Sequence, residues 1–342
     1  MEMKLGIGFF GELSIRQMIH CSIEAERCGF DSLWIADHYL LREVSAASAA
    51  ILGSTNRITI GIGTLNPYTR HPAVVAMAAA TLQEYAPGRI ILGVGAGVRH
   101  KDALLGEVKG SDLIAMEECV MTVRHLLKGE TVSFRGKTMN VKGIKLGFSH
   151  GEQTIPIYIG AMGPKMLELS GSMADGVLLS AGAVTRYIEE ARSRVAVGAR
   201  RVDRDPSEVP VSSYVLLSMD QDEERARNYA RNLVATFIAQ PFFKPIVELS
   251  GVSNDEVLAV REAWVRGGTQ EAREVVSKET IETFAIAGNP KECRRRMLDF
   301  VKTGVDELIL VPCGPDLMDV TLSSMEIAAW RDDWPSDSRQ KA

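Results

Sequence analysis

Three clusters of residues in this 342-residue chain carry chemistry by type and spacing. Asp37, His38 and Tyr39 follow directly on the apolar run Ser32–Ala36. An imidazole beside a carboxylate can be held in one tautomer and can move a proton near neutral pH. Equally, Asp37 can cap a following helix while His38 fills space. Glu12 places a second carboxylate just beyond the first apolar run. The second cluster is the polar loop Gly63-Thr64-Leu65-Asn66-Pro67-Tyr68-Thr69-Arg70-His71-Pro72. Its two prolines restrict Asn66 and His71 to extended backbone, and Pro72 suits the first position of a helix over 73–85. Tyr68, Thr69 and Arg70 are candidates for contact with substrate. Arg70 or Arg99 could hold an acidic substrate tail, or either could be a plain surface cation. The third cluster, Gly160-Ala161-Met162-Gly163-Pro164, joins a strand pattern to a helix pattern. Successive backbone N–H groups and the helix dipole favour a phosphate there, and Lys165 adds a point charge.

The elements that must position these clusters read as an alternation of short apolar runs and longer helical patterns. Eight runs are strand candidates: Lys4–Phe9, Ser32–Ala36, Ile58–Gly63, Ile90–Gly95, Ile155–Gly160, Gly176–Leu179, Val209–Leu217 and Glu307–Val311. They are apolar nearly throughout, as parallel strands covered on both faces are. Most are followed by a helix, which favours a closed (β/α)8 barrel of the TIM type over an open sheet. In such a barrel the working residues lie at strand C-termini, where glycine recurs: Gly8, Gly63, Gly95, Gly97, Gly160, Gly163 and Gly314. Glycine at a strand end reflects either a tight turn or the close approach of a ligand or another backbone.

Two segments fall outside the repeat. Residues 131–153 are polar and Gly-rich, and read as a hairpin or loop before the fifth strand. Residues 240–283 read as a mostly helical insertion before the eighth. Insertions at the C-terminal ends of barrel strands commonly wall an active site. The expectation is one domain over residues 1–330 and a charged, frayed tail over 331–342.

Composition sets the bounds. A net charge of -5 carries no nucleic-acid footprint and no attraction to anionic membranes. No apolar run approaches the roughly 20 residues of a spanning helix, and the chain enters its first strand with no secretory pattern, which points to the cytoplasm. Cys21, Cys28, Cys119, Cys293 and Cys313 show no metal spacing, so no metal is expected. Gly93-Val94-Gly95-Ala96-Gly97 lacks the third glycine of a dinucleotide fingerprint, and no P-loop spacing occurs.

The chain resembles the luciferase-like superfamily and, within it, the F-420-dependent methylenetetrahydromethanopterin reductases. The shared pieces are Trp34-Ile35-Ala36-Asp37-His38-Tyr39, Asn66-Pro67-Tyr68-Thr69-Arg70-His71-Pro72, Gly160-Ala161-Met162-Gly163-Pro164, Ala174-Asp175-Gly176-Val177-Leu178 and Phe284-Ala285-Ile286-Ala287-Gly288-Asn289-Pro290. The resemblance implies a deazaflavin, coenzyme F-420, at the barrel mouth. Asp37 and Asn66 would approach its head group, Ala96, Gly97 and Lys101 its middle, and Met162 and Gly163 its phosphate. It also implies a bulge with a non-proline cis peptide at Gly63–Thr64 that braces one face of the ring. The reductases carry a glutamate near the end of the first strand where this chain has Gly8. Glu12 matches instead a glutamate of the related F-420-dependent sugar-phosphate dehydrogenases, whose second glutamate is replaced here by Val98.

These readings converge on hydride transfer between reduced F-420 and a one-carbon pterin or folate, with His38 or Glu12 supplying a proton and a homodimer packing through 45–51 and 74–82. Three alternatives are a luciferase-type monooxygenase using FMN, with His38 as base; a folate reductase of the same fold using NAD(P)H directly; and a cofactor-free relative that only binds a pterin-like ligand.

Overall fold

The computed structural model describes residues 3–97 and 110–334. Arg99 and Lys101 lie outside the described residues, as does Val98. In chain order the strands are β1 (Lys4–Phe9), β2 (Ser32–Ile35), β3 (Thr59–Leu65), β4 (Ile90–Val94), β5 (Val132–Arg135), β6 (Asn140–Ile144), β7 (Ile157–Ala161), β8 (Gly176–Leu179), β9 (Val211–Met219), β10 (Ala285–Gly288) and β11 (Glu307–Pro312). Parallel pairing runs β1-β2-β3-β4-β7-β8-β9-β11 and returns to β1, so eight strands close into a barrel. β2, β4, β8 and β11 are buried along their whole length, which is why their sequences do not alternate.

The helices stop and start where local chemistry dictates. The first, α1 (Ile15–Cys28), opens on a reciprocal capping box between Ser14 and Gln17 and ends at Gly29, whose φ is 91°. It is followed by α2 (Val44–Leu52), α3 (Pro72–Tyr85) and α4 (Asp112–Leu127). Beyond the hairpin lie α5 (Pro164–Met173) and α6 (Thr185–Arg200). Close backbone contact between α5 and α6 needs Gly171 and Gly198, since a Cβ at Gly198 would stand 1.8 Å from the carbonyl oxygen of Glu168. No helix among the described residues is long and apolar enough to cross a membrane.

The two irregular segments root at different ends of the barrel. β5 and β6 form an antiparallel hairpin between α4 and β7. A segment joining a helix to the next strand roots at the N-terminal face, but the tip of this one climbs along α4, where Thr138 Cγ2 would stand 3.4 Å from a Cβ on Gly110. The Glu118 carboxylate pins the hairpin turn to α4, accepting from the amides of Lys137, Thr138 and Met139 and from Thr138 Oγ1 at 2.6–3.1 Å. The other excursion begins earlier than its sequence suggested. The chain leaves β9 at Asp220 and runs through α7 (Glu223–Ala239), α8 (Lys244–Ser250), α9 (Asn254–Arg273) and α10 (Lys278–Phe284), then returns as β10. β10 pairs with residues 216–219 of β9, continuing the edge whose earlier residues pair with β8. This excursion does cover the mouth: Phe237 of α7 packs where a Cβ of Gly182, just past β8, would stand 2.4 Å from its ring.

The barrel then closes through α11 (Pro290–Val301) and β11, ending in α12 (Leu317–Ser323) and a 3-10 turn to Asp333. Arg331, assigned from sequence to a frayed tail, is held by the Asp31 carboxylate and lies 5.8 Å over the Trp334 ring.

Candidate active site

The mouth has a floor built by side chains that occupy glycine positions. Tyr214 of β9 crosses the barrel, and its ring would stand 2.9 Å from a Cβ on Gly8 while its hydroxyl would stand 2.7 Å from one on Gly63. Thr64 fills the other side: its Oγ1 would lie 2.3 Å from a Cβ on Gly95 and its Cγ2 2.8 Å from one on Gly160. The glycines at four strand ends thus make room for neighbouring side chains. Tyr214 is only 5% exposed and its hydroxyl has no hydrogen-bond partner among the described residues. Burial, with the Glu307 carboxylate below it, pushes the Tyr214 phenol far above its ordinary value.

At the rim, the peptide between Gly63 and Thr64 is cis, and the β3–β4 register shifts between Ile62 and Leu65. This is the bulge at the end of the third strand. Asn66, 2% exposed, latches the loop that follows. Its Nδ2 donates to the Tyr39 hydroxyl at 2.6 Å and to the Ala96 carbonyl at 3.2 Å, and its Oδ1 accepts from the Tyr68 amide at 2.8 Å. One amide thereby ties the exits of β2, β3 and β4 together. The Tyr68 hydroxyl donates to Asp112 at 2.9 Å, and the Thr69 Oγ1 donates to the Asn66 carbonyl at 3.3 Å, so both are drawn into the same framework. His71 accepts from the Ala73 amide and caps α3.

Arg70 faces two carboxylates: its guanidinium bonds both oxygens of Asp37, at 2.9 and 3.3 Å, and Glu43 at 2.9 Å. The Asp37 side chain is only 7% exposed, so this pair fixes the β2 exit against the β3 loop. Arg70 is thereby held by two carboxylates of the protein. His38 is exposed and lies flat on Phe10, with ring centroids 5.3 Å apart and planes 9° apart. Glu12 is also exposed, and its carboxylate has no partner among the described residues. Arg42 fixes its loop by donating to the carbonyls of Gly11 and Glu12 at 3.1 and 3.0 Å.

The third cluster opens outward. Gly163 is the N-cap of α5 with no side-chain cap bond, and a Cβ there would meet nothing within 4 Å among the described residues. Pro164 has no N–H and the Met166 and Leu167 amides bond the Gly163 carbonyl, so the first turn offers an anion the Lys165 amide and the helix dipole. The buried Tyr187 hydroxyl holds this turn by donating to the Met162 carbonyl at 2.8 Å, and burial raises its phenol well above the usual range. Lys165 is exposed in the first turn of α5. Ala96 is half-buried and Gly97 exposed with a φ of 70° at the end of β4. No group of three or more metal-ligating side chains occurs among the described residues. Sequence reasoning passed over Phe10, Tyr214 and Arg42. Phe10 is the second of the pair Phe9-Phe10 and Tyr214 a single aromatic inside an apolar run, and nothing in their spacing marks them.

A family model described as luciferase-like monooxygenase matches residues 3–307. The 5,10-methylenetetrahydromethanopterin reductase of Archaeoglobus fulgidus is 35% identical over 319 residues, covering 92% of this chain and 95% of that protein. The enzyme of the same name from Methanolobus tindarius is 34% identical over 316 residues, covering 92% and 96%. Among solved structures, the coenzyme F-420 dependent tetrahydromethanopterin reductase from Methanopyrus kandleri matches with a TM-score of 0.85 at 28% identity, covering 96% of this chain and 98% of that one. The chain belongs to the luciferase-like family. Within it, this barrel is an oxidoreductase, similar to reductases that depend on F-420.

Proposed function

We propose that this oxidoreductase transfers a hydride from reduced coenzyme F-420 to a one-carbon pterin of the methylenetetrahydromethanopterin or methylenetetrahydrofolate type. The geometric observation that carries it is the open, uncapped amide turn at Gly163, aligned with the mouth and fitted to a phosphate; the substrate class rests on the relatives. Bound F-420 supplies a two-electron hydride from its ring carbon. The residues of this chain hold and orient. Gly63, Thr64, Ala96 and Gly97 line the ring, and Gly160, Ala161, Met162 and Gly163 with Lys165 hold the phosphate. Asp37 and Asn66, whose polar atoms bond Arg70, Tyr39, Ala96 and Tyr68, keep the walls fixed. Tyr68 and Thr69 face the acceptor, and His38 or Glu12 delivers a proton to the amine as its ring opens. Holding both reactants in contact and excluding water supplies most of the acceleration.

Titration of the purified chain with F-420 and with FMN, followed by turnover with methylene-pterin and methylene-folate, tests this. Saturable F-420 binding and turnover with one of the two acceptors is expected. Binding of FMN alone, with oxygen consumed, would overturn it.

The same reading includes a homodimer in the cytoplasm. On α3, Val74, Met77 and Tyr85 are 50%, 52% and 62% exposed, an apolar stripe at helical spacing. Light scattering at micromolar concentration is expected to give twice the chain mass; a monomer rejects the dimer.

A further inference from the structure

We propose that Tyr187 is a positioning residue for the phosphate turn: its hydroxyl sets the plane of the Met162–Gly163 peptide and so aims the Gly163 N–H away from the core. The inference rests on the reading above in taking that turn to hold a phosphate. Tyr187 lies in the first turn of α6 and is 1% exposed. Its hydroxyl donates to the Met162 carbonyl at 2.8 Å, and burial keeps the phenol protonated. The base from which it reaches is firm. A Cβ at Gly171 of α5 would stand 2.0 Å from the Val195 carbonyl oxygen of α6, and one at Gly198 of α6 would stand 1.8 Å from that of Glu168.

In a trans peptide the carbonyl and the N–H lie in one plane and point opposite ways. The Met162–Gly163 peptide is trans, so a carbonyl turned to the buried Tyr187 hydroxyl leaves the Gly163 N–H turned away from it. A Cβ on Gly163 would meet nothing within 4 Å among the described residues. Pro164 has no N–H, and the Met166 and Leu167 amides are spent on the Gly163 carbonyl. The donors that remain at this turn are the amides of Gly163 and Lys165, neither of them bonded among the described residues. Two such N–H groups with the helix dipole behind them suit a phosphate. Tyr187 supplies the only hydrogen bond to the Met162 carbonyl among the described residues. Without the hydroxyl, that carbonyl regains a partner by rotating towards water, and the rotation carries the Gly163 N–H out of line. Tyr187 touches no reactant in this arrangement; it acts through one peptide plane.

The test uses two forms of the deazaflavin fragment of F-420 that differ only in the presence of its phosphate. Both are titrated into the full-length wild type and into Tyr187→Phe, which keeps the ring that fills the site. The variant is expected to weaken binding of the phosphorylated form about tenfold and of the other by no more than about twofold. In a chain labelled with nitrogen-15 glycine, the Gly163 amide is identified by its loss in Gly163→Ala. Inorganic phosphate is expected to move its proton downfield in the wild type and to leave it in place in Tyr187→Phe. Equal weakening of both fragments, as general loosening of the fold would give, or no weakening of either would overturn the proposal. So would a Gly163 resonance that phosphate moves alike in both chains or fails to move in the wild type. A wild-type chain that binds neither fragment would instead sink the functional reading, and the phosphate titration would then decide the role of Tyr187 by itself.

Discussion

At the closed end of the barrel, Glu307 is 3% exposed and fully engaged: it accepts from Ser32 Oγ, from Trp34 Nε1 at 3.1 Å and from Ser212 Oγ at 2.6 Å. At the mouth, one strand layer above, the Tyr214 hydroxyl has no partner among the described residues, Gly163 caps α5 with no side-chain bond, and Glu12 and His38 stand exposed. The two ends share strands and composition but treat polar groups in opposite ways. Buried polar atoms are paired wherever stability decides. Unpaired ones occur at the mouth in Tyr214 and also on the outer helices, in Ser48 and Gln83, so what sets the mouth apart is its exposed carboxylate and imidazole beside the Tyr214 hydroxyl.

Four outcomes would break or sharpen this contrast. The largest belongs to the mouth. His38→Gln and Glu12→Gln both change exposed side chains, so melting temperature is expected to stay within a degree or so while one of them lowers kcat by about 10²–10⁴. Full activity in both would mean that neither side chain carries the proton. Next is Glu307→Gln, which turns an acceptor-only carboxylate into a group presenting a donor to three donors. A loss of about 3 kcal/mol, seen as a melting point lower by about 5 °C, is expected with cofactor affinity unchanged. Gly163→Ala reverses that pattern: the new methyl meets nothing within 4 Å among the described residues, so stability is expected to hold while the affinity for F-420 falls about tenfold.

The smallest effect concerns Glu118. Burial opposes its ionisation, but the Thr138 hydroxyl and the amides of Lys137, Thr138 and Met139 outweigh it and hold the carboxyl below the usual carboxylate range. A depressed folded-state pKa contributes stability that is present above the unfolded value of about 4.3. That contribution is lost as pH falls through the folded value. Acid titration of stability is expected to be shallower in Glu118→Gln by on the order of 1 kcal/mol. An unchanged acid limb would detach the hairpin from this carboxylate.

The barrel strands were legible because parallel strands buried on both faces are written as unbroken apolar runs, such as Ile90-Ile91-Leu92. β10 was not, since Ala285-Ile286-Ala287-Gly288 continues the apolar face of α10 and is too short to declare a period. The excursion was placed at residue 240 because α7 follows a strand as any barrel helix would, and only the return of β10 onto β9 shows that α7 belongs to it. At the site, the polar loop after β3 announced itself through its two prolines. The purpose of the glycines did not. Gly8 and Tyr214 are 206 positions apart in the chain, and no local spacing reports that one makes room for the other. Arg70 was visible as a cation, but its two carboxylates, Asp37 and Glu43, become its neighbours only when the barrel closes.

The split edge of β9 has a consequence for how this enzyme can change. The Asp220 amide bonds the Gly288 carbonyl at 3.1 Å, so the four-helix excursion departs and re-enters at adjacent points. A short linker could join its two ends and leave all eight barrel strands in register. The wall over the mouth is in effect an exchangeable cassette: another could be grafted in its place without touching the exits of β2, β3 and β4.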